Sequence, residues 1–189
     1  MPQPESQPPN DSCPQPACPG DSSAARAARR RAWVDNLPYM VMIVLGAAII
    51  WWGAGPAIWR WILTVGYVAY GALGAVWIMF FVCPWCHFYD TDLCPCGYGR
   101  IAARLRSKQD GDSFAQRFKR HIPVIVPLWF LPLIAGGIAI YQEFSWLMPS
   151  LLAAFVINSH ILLPLLAKHY GCNSCSQKET CPWMGGCRE

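Results

Sequence analysis

Charged side chains are scarce in this chain: Asp, Glu, Lys and Arg make up 14% of its 189 residues, against about 25% in soluble domains. Apolar residues reach 54%, more than a soluble protein of this length can bury. The chain also has no glycine-rich phosphate-binding loop, no H-E-x-x-H motif and no G-x-S-x-G motif. We therefore exclude an ordinary soluble domain, expect no nucleic-acid partner, and find none of these enzyme motifs that would indicate a stand-alone enzyme.

Four long apolar stretches indicate helices that cross a membrane. Each is close to the ~20 residues that an α-helix needs to span a hydrocarbon core about 30 Å thick. Backbone N–H and C=O groups find no water in lipid, so they must be satisfied within the segment, as they are in a helix. Ten tryptophans support this prediction, because indole side chains favour the headgroup level of a bilayer. The stretches are residues 37–55, 57–82, 122–142 and 146–167.

Basic residues are placed very unevenly around these stretches. Fourteen of the fifteen lie before the first stretch, between the second and third, or after the fourth, and only Arg60 lies elsewhere. Because Lys and Arg collect on the cytoplasmic side of membrane proteins, both termini and the central loop are predicted to be cytoplasmic. We expect a protein of a bacterial or archaeal inner membrane, with the lipid bilayer as its first partner.

The sequence divides into two similar halves. Each half has a basic segment, an apolar residue followed by proline, two apolar stretches and a cysteine block. This pattern predicts an all-α, integral membrane four-helix bundle built from two tandem two-helix units, with a Cys-rich cytoplasmic loop and tail. The alternative is that two unrelated Cys-rich linkers look alike. The predicted segments are a disordered Pro-rich tail (1–32), helix pair 1 (33–82), the Cys-rich loop (83–121), helix pair 2 (122–168) and the Cys-rich tail (169–189).

Eight of the ten cysteines form two blocks, spaced C-x2-C-x7-C-x-C in the first and C-x2-C-x5-C-x5-C in the second. Disulfides rarely persist in the cytosol, so clustered cysteines there indicate metal binding or redox chemistry. Cys13 and Cys18 lie in the Pro-rich tail and are interpreted as incidental thiols. The predicted metal ligands are Cys83, Cys86, Cys94, Cys96, Cys172, Cys175, Cys181 and Cys187.

Four thiolates suit either a 4Fe–4S cluster or a tetrahedral structural zinc. We favour iron–sulfur because Cys-Pro, which ends the ferredoxin ligand run, recurs in both blocks, while each block has one C-x2-C pair rather than the two usual for zinc. Zinc is the alternative. The segment from Cys83 to Cys86 also resembles the C-P-x-C of thioredoxin-type enzymes, but it follows a helix, whose C-terminal end disfavours a thiolate.

His160 is the one ionisable residue predicted deep within a spanning helix, with Asn158 and Ser159 beside it. Ionisable residues within the membrane are functional candidates, so a quinone contact at His160 is one interpretation. The other is a hydrogen bond from His160 to a neighbouring helix, which needs no ligand.

Residues 99–108 predict a short helix with one apolar and one basic face. Such a helix lies at the membrane interface against anionic lipid, although a solvated loop helix fits the same short pattern. The apolar residues are Ile101, Ala102 and Leu105, and the basic residues are Arg100, Arg104 and Lys108.

The helix layout and the motifs around Cys83, Cys94 and Cys181 resemble the four-helix, polyferredoxin-type membrane subunits of the nitrate and nitrous oxide reduction systems. Those subunits carry Cys-Pro motifs at the cytoplasmic ends of helices; this chain lacks their C-x3-C-P spacing. The resemblance implies iron–sulfur clusters and electron exchange with quinol.

We therefore expect electron transfer between a membrane quinone pool and a soluble or membrane redox partner on the cytoplasmic face. The chain is expected to act as an oligomer or as a subunit of a larger complex. A soft-metal transporter or thiol metal relay is one alternative. The other is a non-enzymatic membrane scaffold or assembly factor whose cysteines hold structural zinc.

Overall fold

The computed structural model describes residues 22–86, 88–91, 94, 96–109 and 114–168. Most of the structure is helical, and the described residues include no strand. The helices are α1 Ser22–Gly53, α2 Ala57–Phe81, α3 Tyr98–Leu105, α4 Phe114–His121, α5 Pro127–Gln142, α6 Leu147–Val156 and α7 Leu163–Leu166. Two short 3₁₀ turns, Cys83–Trp85 and Ile122–Ile125, and a π-helical segment, Ile157–Leu162, join neighbouring helices.

Four helical segments among the described residues are long and apolar enough to cross a membrane. Only 17–28% of the residues in their apolar windows are buried within the protein, so most of each segment is free to face lipid. The prediction of a helical protein with four helices long and apolar enough to span a membrane is confirmed. The four spans are Ala32–Gly53, Ala57–Trp85, Phe114–Gln142 and Leu147–Leu166.

The helix of the first span begins earlier than the apolar pattern predicts. α1 starts at Ser22, inside the segment predicted to be a disordered tail, and continues through Pro38. Residues 22–31 are rich in Ala and Arg, both strong helix formers, so the helix extends outward from the span. Proline is tolerated within a spanning helix because neighbouring helices provide partners for the freed backbone groups. Here the Asn158 amide donates to the Pro38 carbonyl at 2.8 Å.

α1 lies at the centre of the bundle and contacts α2, α5 and α6. The core where these helices meet includes Met42, Ile49, Leu128 and Phe155, all fully buried. Two tyrosine hydroxyls also form hydrogen bonds between helices. Tyr39 on α1 donates to the carbonyl of Gly71 at 2.9 Å, and Tyr67 on α2 donates to that of Leu128 at 3.0 Å.

Glycines on α1 and α2 make this close packing possible. A methyl group at Gly46 would lie 2.6 Å from Cζ of Tyr67, and one at Gly71 would lie 2.6 Å from Cδ1 of Ile43. At both positions a side chain of the neighbouring helix occupies the space that a Cβ would need. Gly46 and Gly71 therefore serve helix packing, as small residues do in other membrane helices.

Candidate metal centre

The first cysteine pair lies on a turn at the end of the second span. Helix α2 ends at Phe81, and the chain passes directly into the 3₁₀ turn Cys83–Trp85. The N–H of Cys86 donates to the carbonyl of Cys83 at 3.0 Å, which closes the turn and brings the two cysteines to one side of the chain. Pro84 inside this turn is fully buried, so the turn is packed against the protein rather than projecting from it.

A second turn carries the next two cysteines. The N–H of Gly97 donates to the carbonyl of Cys94 at 3.0 Å, so this hydrogen bond closes a turn that includes Cys94 and Cys96. Gly97 has φ of 71°, a left-handed conformation that glycine adopts without the steric cost that a Cβ brings. Helix α3 begins at the next residue, Tyr98, and leads the chain away from the turn.

The two turns place their thiols around Tyr98. Cys83 interacts electrostatically with both Cys86 and Cys94, so the two turns lie side by side. Burial raises the pKa of Tyr98, and neighbouring Cys96, Tyr39, Cys83 and Cys94 raise it further. The Tyr98 hydroxyl therefore stays protonated and remains a hydrogen-bond donor. We call Cys83, Cys86, Cys94 and Cys96 the thiol cluster.

The thiol cluster supplies soft donors, but its side chains do not converge on one point. All four cysteines are thiols rather than disulfides. Within the described part of the chain, no three His, Cys, Asp or Glu side chains are arranged as ligands of one metal ion. The other predicted ligands, Cys172, Cys175, Cys181 and Cys187, lie outside the described residues. Metal ligation by the eight cysteines therefore stays a prediction.

The thiol cluster is attached to the first span and to α3. The amide of Asn36 on α1 donates to the carbonyls of Ala32 at 2.7 Å and Cys96 at 2.8 Å. On α3, Gly99 packs directly against the loop: a Cβ there would lie 3.1 Å from Cβ of Cys94 and would clash with the carbonyl of Phe88. The thiol cluster is thus held against α1 and α3, at the end of the bundle where the second span ends.

Two arginines lie over the tryptophan that separates the first two thiols. The guanidinium carbon of Arg117 is 4.4 Å from the ring centroid of Trp85, and that of Arg106 is 5.2 Å from it. Arg106 also lies 5.1 Å from the Phe80 ring centroid. This group could not be predicted from the sequence, because the two arginines are more than twenty residues from their aromatic partners in the chain. The sequence feature that pointed to it was the run of aromatic residues at the end of α2, followed by a basic loop.

The polar residues of the fourth span lie in the π-helical segment Ile157–Leu162. Asn158, which is buried, makes the bond to Pro38, and Trp129 Nε1 donates to the Ser159 carbonyl at 3.3 Å. His160 is exposed, and its Nδ1 lies 2.8 Å from Oγ of Ser159 on the same helix. The polar side chain that donates a hydrogen bond to a neighbouring helix is therefore that of Asn158, whereas the hydrogen-bond partner of His160 lies on its own helix. Quinone contact at His160 stays a prediction.

Replacing Asn158 by Leu is expected to lower the free energy of unfolding by about 1 kcal/mol, because the buried bond to Pro38 is lost. Titration of the protein in mixed micelles with a denaturing detergent measures this change. The matched control is His160→Leu, which removes an exposed ring and is expected to change stability by less than about 0.5 kcal/mol. A larger loss at His160 than at Asn158 would contradict the assignment.

The opposite end of the bundle carries a cleft of about 390 Å³ between the two short turns. Arg60 lines it, and its Nε donates to the carbonyls of Ala54 at 2.9 Å and Gly55 at 3.0 Å. Gln142, Glu143 and Ser145 supply its other polar side chains. No cysteine lies among the lining residues, so the cleft is separate from the thiol cluster.

No protein-family model, curated protein or solved structure matches this chain. The resemblance to membrane subunits of nitrate and nitrous oxide reduction therefore depends on the cysteine motifs and the helix layout alone. What the chain does has to be argued from its own residues.

Proposed function

We propose that this chain is an integral membrane electron-transfer protein with a Cys-ligated metal site at the cytoplasmic ends of its spans. It would exchange electrons between a membrane quinone pool and a redox partner, as an accessory subunit rather than a stand-alone enzyme. The observation that carries the proposal is the thiol cluster. Two hydrogen-bonded turns bring Cys83 near Cys86 and Cys94 at the end of α2, so soft donors are concentrated at one end of the bundle.

The helix packing supports the proposal that the chain is a tandem duplication. α1 packs against α2 and α5 packs against α6, while α1 and α5, the first helices of the two proposed units, contact each other. A two-fold axis along the membrane normal would relate the two pairs in this way. The second cysteine block would then lie at the same membrane face as the first. Cys172, Cys175, Cys181 and Cys187 would complete a shared site or form a second one.

Basic side chains lie near the first pair of cysteines. Arg106 and Arg117 lie over the ring of Trp85, and Trp85 stands between Cys83 and Cys86 in the chain. A 4Fe–4S cluster is the group we favour, and when bound it supplies one-electron transfer. Thiols are the donors that such a cluster needs, and Cys83, Cys86, Cys94 and Cys96 would be its ligands in the first cysteine block.

Structural zinc is the second candidate, and the second turn favours it. The first block has a single C-x2-C pair in sequence, yet it forms two hydrogen-bonded turns that each present cysteines. Paired cysteine turns are typical of four-cysteine zinc sites. In that case the chain would be a membrane scaffold or assembly factor, and the metal would fix the loop without any redox change.

Anaerobic purification of cysteine variants tests which thiols hold the metal. We expect Cys83→Ser and Cys94→Ser each to lose most of the bound iron and the broad visible absorbance, because a hydroxyl is a poor ligand for iron–sulfur. The double variant Cys13→Ser, Cys18→Ser is the matched control and is expected to keep both. Stoichiometric zinc in a colourless protein would support the scaffold instead, and full metal retention in Cys83→Ser and Cys94→Ser would contradict both candidates.

A further inference from the structure

A basic and aromatic group surrounds the end of the second span. We define the rim cluster as Phe80, Trp85, Arg106 and Arg117. Both guanidinium groups lie over aromatic rings, with distances of 4.4 Å from Arg117 to Trp85 and 5.1 Å from Arg106 to Phe80. Trp85 is only 8% exposed, so the position of its ring is fixed by packing.

The backbone around Arg106 is held in place. The Tyr89 hydroxyl donates to the Arg106 carbonyl at 2.8 Å, and the N–H of Gln109 donates to the carbonyl of Pro84 at 3.2 Å. Arg106 Nη1 donates a hydrogen bond to the Phe80 carbonyl at 3.4 Å. These bonds fix the charge at the end of the span. The arginine is therefore organised before any ligand arrives, which lowers the entropy that binding would lose.

Stacking leaves a guanidinium group able to bind an anion. The contact with an aromatic ring uses the face of the planar group, whereas the N–H donors lie at its edge. Those donors match the oxygens of a phosphate and can bind two of them at once. Two such groups over one tryptophan suit a phosphodiester, which carries one negative charge and is flanked by apolar chains.

The surroundings of the rim cluster indicate that this phosphodiester belongs to a membrane lipid. Ile101 and Leu105, one turn apart on α3, are 48% and 46% exposed, as expected for side chains that enter the bilayer. Trp85 ends the second candidate span and Arg117 lies near the start of the third, where the headgroups of a bilayer are expected. Further basic side chains nearby in the chain are exposed, namely Arg100, Arg104, Lys119 and Arg120.

We infer that the rim cluster is a binding site for the headgroup of an anionic phospholipid. Arg106 and Arg117 hold the phosphate, and Ile101 and Leu105 contact the acyl chains below it. Basic pockets between spanning helices bind acidic headgroups by this chemistry. Because Trp85 separates Cys83 from Cys86, an occupied site also fixes the turn that carries these thiols. The inference does not depend on which metal, if any, the thiols bind.

Lipid titration of the full chain tests the inference. The protein is purified in neutral detergent, and its melting temperature is measured with phosphatidylglycerol, with phosphatidylcholine, and with inorganic phosphate at the same concentration. We expect phosphatidylglycerol to raise the melting temperature by several degrees and the other two to leave it nearly unchanged. Stabilisation by inorganic phosphate to the same extent would overturn the lipid assignment, since no acyl chain would be needed.

Variants locate the effect. Arg106→Gln and Arg117→Gln are each expected to lose most of the stabilisation, while Arg60→Gln, at the opposite end of the bundle, keeps it. Equal stabilisation of all three variants would overturn the site. Native mass spectrometry of the wild-type protein provides a measurement that does not depend on variant folding. We expect phosphatidylglycerol to remain bound in preference to phosphatidylcholine, and equal retention of the two lipids would also overturn the inference.

Discussion

Replacing Gly46 by Ala is expected to destabilise the bundle by about 1–3 kcal/mol, because the new methyl group overpacks a filled interface. It would lie 2.6 Å from Cζ of Tyr67, a side chain that is only 3% exposed and has no free space to move into. Displacing Tyr67 would also break its hydrogen bond to the Leu128 carbonyl. One methyl group would thus disturb the contacts that α1 and α5 both make with α2.

Gly66→Ala is the matched control for this prediction. Gly66 lies on α2 as well, and a Cβ there meets no atom within 4 Å. Its free energy of unfolding is expected to stay within about 0.5 kcal/mol of the wild-type value or to rise slightly, since Ala is the better helix former. Titration with a denaturing detergent measures both variants. Equal stability of Gly46→Ala and Gly66→Ala would show that the packing of α1 on α2 is looser than described.

Replacing Gly99 by Ala is expected to open the thiol cluster while leaving the spans intact. The added methyl group would clash with the Phe88 carbonyl and lie 3.2 Å from the Thr91 carbonyl and 3.1 Å from Cβ of Cys94. Backbone atoms cannot rotate aside as a flexible side chain can, so the loop from 88 to 94 has to move. We expect Cys94 to react with a maleimide several times faster than in the wild type, and bound metal to fall with it.

Mass spectrometry of each alkylated cysteine measures this reaction in the full chain. Gly137→Ala is the control, because a Cβ at Gly137 meets no atom within 4 Å and lies on α5, far along the chain from the loop. Its Cys94 reaction rate should equal that of the wild type. If Gly99→Ala unfolds the whole bundle instead, or leaves Cys94 unchanged, the loop is not held against α3 in the way described.

The spanning helices could be predicted from the sequence because lipid imposes strict rules. A segment that crosses it needs about 20 apolar residues and must satisfy its own backbone, so length and composition suffice to find it. The beginning of α1 did not follow from those rules. Ser22 starts the helix in a polar segment where helix propensity, rather than hydropathy, sets the boundary.

The polar site in the fourth span shows a different limit. Asn158 and His160 are two residues apart, and hydropathy treats both as polar residues in an apolar helix. Residues two apart lie on nearly opposite sides of a helix, so only one of the two can face the bundle. Here Asn158 faces Pro38 and His160 is exposed, an outcome that depends on how the fourth span packs against the first.

The cysteines of the thiol cluster were identified from their spacing, since the C-x2-C pair and the Cys-Pro steps are local features. Their surroundings were not. Arg106 and Arg117 meet Trp85 only because α3 and α4 fold back onto the end of α2, and such contacts depend on the tertiary structure. The positive charge beside Trp85 therefore comes from elements distant in sequence, and the cysteine motif alone does not reveal it.

The central claim is that the thiols at the end of the second span hold a metal that carries electrons. Metal analysis combined with a visible spectrum of the full chain, purified without oxygen and then treated with dithionite, tests it most directly. The account predicts bound iron with sulfide and a broad visible absorbance that bleaches on reduction. A colourless protein with neither iron nor a redox-dependent spectrum would contradict it.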